Sequence, residues 1–113
     1  MIITKSEPFT KEEIEKLNEV YKTYIKTIID IEQKICSAGM EWHYEGEQLL
    51  LQQGSAQSDI WGGGVDLKER IVTYDSLINA RSRDGNASNE LLDNSLRNRY
   101  KELTLYFLKE LFL

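Results

Sequence analysis

Two runs of branched and aromatic residues, separated by three charged residues, constrain this chain more than any other part of its sequence. The first run lies within residues 60–67, the second within residues 71–78, and the charged residues are 68–70. Branched and aromatic side chains favour half-buried strands, and three charged residues suit the solvated connection of a hairpin. The sequence therefore predicts two antiparallel strands, followed by a polar loop over residues 81–89.

A helix start is the clearest local signal near the N-terminus. Thr10 and Glu13 have the spacing of a capping box, and Phe9 can pack on Ile14 as a hydrophobic staple. Apolar residues then recur every three or four positions as far as Ile28. This pattern predicts a helix over about residues 11–25.

The period changes from helical to strand-like after this helix. Isoleucines alternate with acidic residues over residues 29–32, and a turn at residues 32–34 would let residues 35–38 return antiparallel. A helix that continues to Lys34 is the alternative. The pattern therefore favours a hairpin but leaves residues 26–34 open between strand and helix.

Two further helices complete the predicted architecture. Residues 45–53 contain three leucines and precede Gly54, which suits the left-handed conformation that ends a helix. A long C-terminal helix, with Ser88 or Asn89 as its cap, is predicted from the stripe Leu92, Leu96, Tyr100, Leu103, Phe107 and Leu111. The expected fold is α+β in a single domain, residues 1–113. About four antiparallel strands form two hairpins, covered by an N-terminal, a short middle and a long C-terminal helix.

Charge and composition limit the classes of partner. Fourteen Lys and Arg against 19 Asp and Glu give a net charge of −5 and a pI near 4.9, which opposes binding to a phosphate backbone. We therefore expect no nucleic-acid partner, although a basic patch is conceivable at Arg81, Arg83, Arg97, Arg99 and Lys101. No run approaches the roughly 20 apolar residues of a membrane span, and residues 1–5 lack the pattern of a signal peptide. Cys36 has no second cysteine to pair with, so we expect a soluble cytoplasmic protein without membrane contact.

Several short segments in the middle of the chain carry a resemblance. They are residues 30–32, 34–35, 39–43, 49–51, 54–55, 59–62, 76–79, 81 and 85–86. On these segments the chain resembles an uncharacterised family of short prokaryotic proteins that is known only as a domain of unknown function. The resemblance implies no activity, but it indicates which polar residues to consider first.

A metal site is one hypothesis for the segment around the only histidine. Glu41, His43 and Glu45 are spaced by two, so on an extended strand they would share one face. A histidine with two carboxylates can bind zinc, manganese or ferrous iron. A solvent-facing polar ladder, with Trp42 and Tyr44 in the core, explains the same spacing. Nothing in the sequence requires a cofactor.

Nucleophilic catalysis has little support, and the catalytic residues stay unassigned. Cys36 lies in an apolar setting that is typical of a buried, inert thiol, and Ser55 follows a helix-ending glycine. Ser55 or Ser76 could pair with His43 only if the fold brought them together. The glycines at 62–64 lack the lysine of a P-loop and indicate a bulge or a close backbone approach.

A polar set after the second strand is the main candidate for ligand recognition. Asn79, Arg81 and Asn86 carry amide and guanidinium groups, which suit carboxylate or phosphate ligands. The same groups can instead tie down a long loop by bonding to its backbone. With His43, and with Trp61 as an aromatic wall, these three are the predicted ligand-binding residues.

Two functions follow as expectations. The first is a small interaction or regulatory module that self-associates as a homodimer, because the C-terminal helix is apolar on more than one face. The alternative is a small-ligand- or metal-binding enzyme with its site between His43 and the loop at residues 79–86.

Overall fold

The computed structural model describes residues 1–113 and contains a five-stranded sheet and three α-helices. The order is β1 (Ile3–Lys5), α1 (Lys11–Val20), β2 (Tyr24–Asp30), β3 (Ile35–Ala38), α2 (His43–Gln52), β4 (Ile60–Asp66), β5 (Ile71–Thr73) and α3 (Asn94–Phe107). Short 3₁₀ helices span Gln57–Asp59, Leu77–Asn79, Ser82–Asp84 and Lys109–Phe112. The class is α+β, as predicted, and no helix is long and apolar enough to cross a bilayer.

The strands are arranged in the order β1-β3-β2-β4-β5, and every neighbouring pair is antiparallel. Both predicted hairpins are confirmed, β2 with β3 and β4 with β5, so the segment at residues 26–30 is strand and not helix. The two hairpins join through β2 and β4, from Tyr24 opposite Asp66 to Asp30 opposite Ile60. The sheet has five strands rather than about four, because β1 adds to the edge of β3.

Helix α1 begins as predicted but ends earlier. The capping box is present: Thr10 Oγ1 accepts from the Glu13 amide at 3.1 Å, and Glu13 Oε1 accepts from the Thr10 amide at 2.8 Å. The helix stops at Val20, not near residue 25. The branched residues that follow form β2, which pairs with β4 along its whole length. This long-range pairing outweighs the helical spacing of the apolar residues beyond Val20.

The helices cover opposite faces of the sheet. On one face, α1 and α3 pack on alternate residues of β2 and β4, such as Ile25, Ile29 and Val65, in a cluster of 14 buried residues. On the other face lies a cluster of four, Ile28, Met40, Leu50 and Ile60, beneath α2. Leu50 is the only fully buried leucine of the three in α2, and Gly54 follows the helix with the expected positive φ of 99°.

Helix α3 supplies much of the larger core and starts later than predicted. Its cap is Asp93, whose carboxylate accepts from the Leu96 amide at 2.8 Å, and not Ser88 or Asn89. Those two residues belong to the preceding loop, which has its own hydrogen bonds. Phe107 and Leu108 are fully buried, so the chain itself covers much of the apolar excess of this helix.

Because residues 62–64 are glycines, side chains from both faces of the sheet lie directly against the backbone of β4. A Cβ atom on the first would lie 2.8 Å from Ser76 Cβ, on the second 2.9 Å from Tyr100 Cε1, and on the third 2.4 Å from the Tyr24 hydroxyl oxygen. Carbon atoms in contact normally keep about 3.5–4.0 Å apart. The close approach predicted for this run is therefore internal packing from both faces of the sheet.

The segment after β5 departs from the sequence prediction. The apolar pattern predicts that residues 77–78 extend the second strand, but β5 ends at Thr73 and Leu77–Asn79 forms a 3₁₀ turn. Ser76 caps this turn, because its Oγ accepts from the Ile78 amide at 3.3 Å. Asn79 and Arg81 consequently do not lie on a strand face, and they return the chain towards β4.

Candidate functional site

Three of the predicted ligand-binding side chains converge on the backbone of β4. His43 Nε2 lies 2.7 Å from the Gly63 carbonyl oxygen. The Asn79 amide accepts from the Gly62 N–H at 2.9 Å and donates to the Gly62 carbonyl at 2.9 Å. Because β5 ends before it can pair with this part of β4, the Asn79 side chain takes the place of a strand residue.

Arg81 likewise bonds through its side chain to the backbone of β4. Its Nη2 donates to the Ile60 carbonyl at 3.0 Å, and its guanidinium stacks on the Trp61 ring at 4.0 Å from the centroid. Its Nε donates to the Asp84 carboxylate at 2.7 Å, and its Nη1 donates to the Ile78 carbonyl at 2.8 Å. Trp61 is buried beneath this contact, so it does not form the open ligand wall that was predicted.

Asn86 closes the loop that carries these residues. Its Nδ2 lies 2.8–2.9 Å from the carbonyl oxygens of Asn79, Ser88 and Glu90, and its Oδ1 accepts from the Leu92 amide at 3.0 Å. No buried side-chain nitrogen or oxygen lacks a hydrogen-bond partner. Asn79, Arg81 and Asn86 therefore use their polar groups to tie the loop to the sheet, the alternative considered for them from the sequence.

An open cleft lies immediately beside this buried network. It has a volume of about 300 Å³ and separates the start of α2 from the segment after β5. Three large apolar side chains at its edge are exposed: Trp42 by 61%, Tyr44 by 57% and Leu77 by 79%. The complete lining is Lys26, Trp42, His43, Tyr44, Asp75, Ser76, Leu77, Ile78 and Asn89.

His43 presents a hydrogen-bond acceptor to this cleft. A carbonyl oxygen can only accept, so the nitrogen bonded to Gly63, Nε2, carries the proton. Burial lowers the pKa of His43 below its ordinary value of 6.5, and the Lys26 ammonium acts in the same direction, against the Gly63 bond and the Asp75 carboxylate. The ring is therefore neutral at pH 7, and its Nδ1 has no hydrogen-bond partner in the chain and is not completely sealed from solvent.

The metal site proposed from the sequence does not form. His43 begins helix α2, so His43 and Glu45 point to nearly opposite sides, since two residues of a helix turn through about 200°. Glu45 instead caps the helix, with Oε1 accepting from the Trp42 amide at 2.9 Å. No three His, Cys, Asp or Glu side chains in the protein are arranged to hold a metal ion, and Glu41 therefore belongs to no such group. The same helix start turns Trp42 and Tyr44 outward, whereas the ladder alternative placed them in the core.

The candidate nucleophiles are separated from the histidine or engaged elsewhere. Cys36 is buried, and burial raises the pKa of its thiol far above the ordinary range. Ser55 donates to the buried Asp30 carboxylate at 2.6 Å. Ser76 does share the cleft with His43, but no hydrogen bond joins the two side chains.

Most basic residues of the conceivable nucleic-acid patch are engaged within the chain. Three of them form ion pairs: Arg81 with Asp84, Arg97 with Glu90, and Arg99 with Glu32. Arg83 also donates to the Gln57 side chain. These contacts agree with a solvated, internally paired surface.

Sequence reasoning missed the walls of the cleft. Lys26, Trp42, Tyr44, Asp75 and Leu77 belong to three separate segments, which meet only after the sheet and α2 have packed. One signal was available, because two aromatic residues flank the only histidine, but their outward direction depends on where α2 begins.

Comparison with known proteins gives a family and no function. No curated protein and no solved structure matches the chain. A family model does match it over residues 1–107, almost the whole length, and confirms the resemblance to a domain of unknown function. The chain belongs to the family described as "Protein of unknown function (DUF5674)".

Proposed function

We propose that this protein binds a small, flat, largely apolar molecule in the cleft beside His43, and that the molecule donates a hydrogen bond to His43 Nδ1. The single observation that carries the proposal is the neutral imidazole that lines the cleft. It is fixed through Nε2 on the Gly63 carbonyl, and its other nitrogen has no partner in the chain. A fixed acceptor surrounded by apolar side chains is a typical means of orienting a ligand.

The walls of the cleft support this ligand class. Trp42, Tyr44 and Leu77 are exposed without ligand and provide aromatic and aliphatic surface for a planar molecule. The volume of about 300 Å³ is at the lower end of small-molecule sites. Lys26 and Asp75 supply one positive and one negative group near His43, so the cleft can accept a polar substituent of either sign.

The proposal is tested with a fragment library of phenols, indoles and other aromatic N–H and O–H donors. Because His43 is the only histidine, the NMR signal of its ring reports directly on the cleft. We expect some fragments to shift this signal and to lose at least about tenfold in affinity in the Leu77→Ser variant. Leu92→Ser, at a leucine that is 60% exposed and does not line the cleft, is the matched control. If no fragment shifts the His43 signal, or if both variants bind equally well, the cleft is not a ligand site.

We also propose self-association as a second function, on a different observation. A depression of about 210 Å³ lies between β5 and the end of α3, lined by Ile71, Leu105 and Phe112 among others. Ile71 is 53% exposed, and Leu105 is 36% exposed. Apolar side chains grouped in this way favour contact with a second copy of the chain.

Light scattering on size-separated protein tests this second proposal. We expect a dimer at high micromolar concentration and a monomer after Ile71→Asp. Leu92→Asp, at an exposed leucine that does not line the depression, is the matched control. A monomeric parent protein would contradict self-association. Phe107 is unsuitable for this test because its side chain is fully buried in the core.

A further inference from the structure

A second concave surface lies on the other side of Trp42. This groove has a volume of about 420 Å³ and is bounded by Met1 and Ile2, the end of α1, the residues after β3 and the first turn of α2. It shares only Trp42 with the cleft beside His43. A ligand here would therefore contact a surface separate from the one described above.

The walls of the groove include apolar side chains that remain exposed. Val20 is 56% exposed and Trp42 is 61% exposed, whereas Met40 is buried. Tyr21 is held in place because its hydroxyl donates to the Gly39 carbonyl at 2.8 Å. Exposed neighbouring apolar residues mark interaction surfaces, and tryptophan is enriched among the residues that dominate binding.

The charged side chains of the groove are both acidic. They are Glu41 and Glu45, and the amino group of Met1 is the one positive group among the lining residues. Neither carboxylate takes part in any of the four ion pairs of the protein, which involve Glu13, Asp84, Glu90 and Glu32. After burial itself, the charges of Glu41 and Glu45 are the causes that raise the pKa of Tyr21, so the two carboxylates act on the same place. The groove therefore combines an apolar wall with an excess of negative charge.

We propose that this groove binds a short basic segment of a partner protein, in which one apolar side chain is flanked by Lys or Arg. The apolar anchor packs against Val20 and Trp42, and the flanking cation lies near Glu41 and Glu45, where an Arg can also stack on the indole ring. A metal ion does not fit, because the groove offers two carboxylates without a third ligand. A second copy of the chain fits poorly at this groove, because in a two-fold dimer through it the carboxylates of Glu41 and Glu45 would face the same two carboxylates of the other copy.

Fluorescence anisotropy tests the groove with a short fluorescein-labelled peptide of alternating Leu and Lys, at about physiological ionic strength. The same peptide with Glu in place of Lys is the probe control. We expect the basic peptide to bind with a dissociation constant in the micromolar range and the acidic peptide not to bind. We expect Trp42→Ala to weaken binding at least about tenfold.

Charge variants separate a specific groove from general attraction between a polycation and an acidic protein. Glu41→Gln with Glu45→Gln removes two charges and keeps the cap, because the side-chain amide oxygen introduced by Glu45→Gln can still accept from the Trp42 amide. The matched control, Glu12→Gln with Glu15→Gln, removes two charges from the exposed face of α1. We expect at least about a tenfold loss of affinity in the first pair and little loss in the second. Equal losses in both pairs, or no binding by the parent protein, would overturn the proposal. The Leu77→Ser variant should bind the peptide normally, which distinguishes the groove from the cleft.

Discussion

At the scale of single residues, His43, Asn79 and Arg81 show how a polar side chain can serve the fold and the site together. Each bonds to a backbone group of β4 between Ile60 and Gly63. Asn79 and Arg81 are buried, and every side-chain nitrogen and oxygen of both has a hydrogen-bond partner within the chain. His43 differs because one ring nitrogen holds the backbone and the other stays open. It alone among the three retains a free group for a ligand.

The protonation of His43 is the first prediction at this scale. Its pKa in the folded protein lies below the unfolded value near 6.5, chiefly because the ring is buried. Between these two pKa values the unfolded chain binds the extra proton, so the free energy of unfolding rises with pH in that window. This stability is present above about pH 6.5 and is lost as the pH falls through the folded pKa. An NMR titration of the single histidine should give a midpoint below 6.5. A midpoint at or above 6.5 would contradict the neutral imidazole.

Asn79 gives a second prediction, which separates its structural role from ligand binding. Asn79→Ala leaves the buried N–H and C=O of Gly62 without partners, at about 1–3 kcal/mol for each group. We expect urea denaturation to show a loss of about 3 kcal/mol in the free energy of unfolding. Asn18→Ala, on the exposed face of α1, should cost less than about 1 kcal/mol. An Asn79→Ala protein as stable as the parent would contradict the conclusion that the Asn79 side chain takes the place of a strand residue.

At the scale of elements, β4 depends on having almost no side chains at its centre. The second of its three glycines is tightly enclosed, because an added Cβ would lie 2.3 Å from the Thr73 carbonyl oxygen and 2.9 Å from the Tyr100 ring. The oxygen belongs to the paired strand β5 and cannot move without breaking the sheet. Tyr100 is also fixed, since its hydroxyl lies 2.6 Å from Thr27 Oγ1.

Gly63→Ala should therefore destabilise the protein by about 1–3 kcal/mol, the usual cost of overpacking. Thermal and urea unfolding measure this loss. Ala56→Gly, at an exposed position outside the strands, provides a control for a change of one methyl group. The predicted loss of stability in Gly63→Ala arises from a steric clash and not from the backbone conformation. A Gly63→Ala protein with unchanged stability would show that β5 or Tyr100 shifts freely.

The sequence predicted those elements whose signals are local. The capping box at Thr10 and Glu13 and the turn between β4 and β5 depend on neighbouring residues, and both are confirmed. The end of α1 and the path after Thr73 depend on partners distant in sequence, and both predictions were wrong. The same reason explains the site. The residue types around His43 were visible, but the start of α2 decides which of them face solvent.

At the scale of the whole molecule, the two faces of the sheet are unequally supported. The face under α1 and α3 carries 14 buried residues in its cluster, whereas the face under α2 carries four. Both the cleft and the groove are formed in part by the start of α2, on the side with the smaller core. Fewer buried apolar contacts mean a lower cost of local opening. The fold therefore places its candidate binding surfaces on its less stable layer.

Native-state hydrogen exchange tests this arrangement in the intact protein. Amides of β2, such as that of Ile29, lie at the centre of the sheet and should exchange only through global unfolding. Amides of α2, such as that of Leu50, should exchange through a local opening of lower free energy and with little dependence on urea. Ligand in the cleft or peptide in the groove should slow exchange of the Leu50 amide if the opening of α2 disrupts the bound surface. It should also slow exchange of the Ile29 amide, because global unfolding releases the ligand. Equal exchange free energies for Ile29 and Leu50 would mean that the three layers open as one unit, and the small core under α2 would then be as cohesive as the large one.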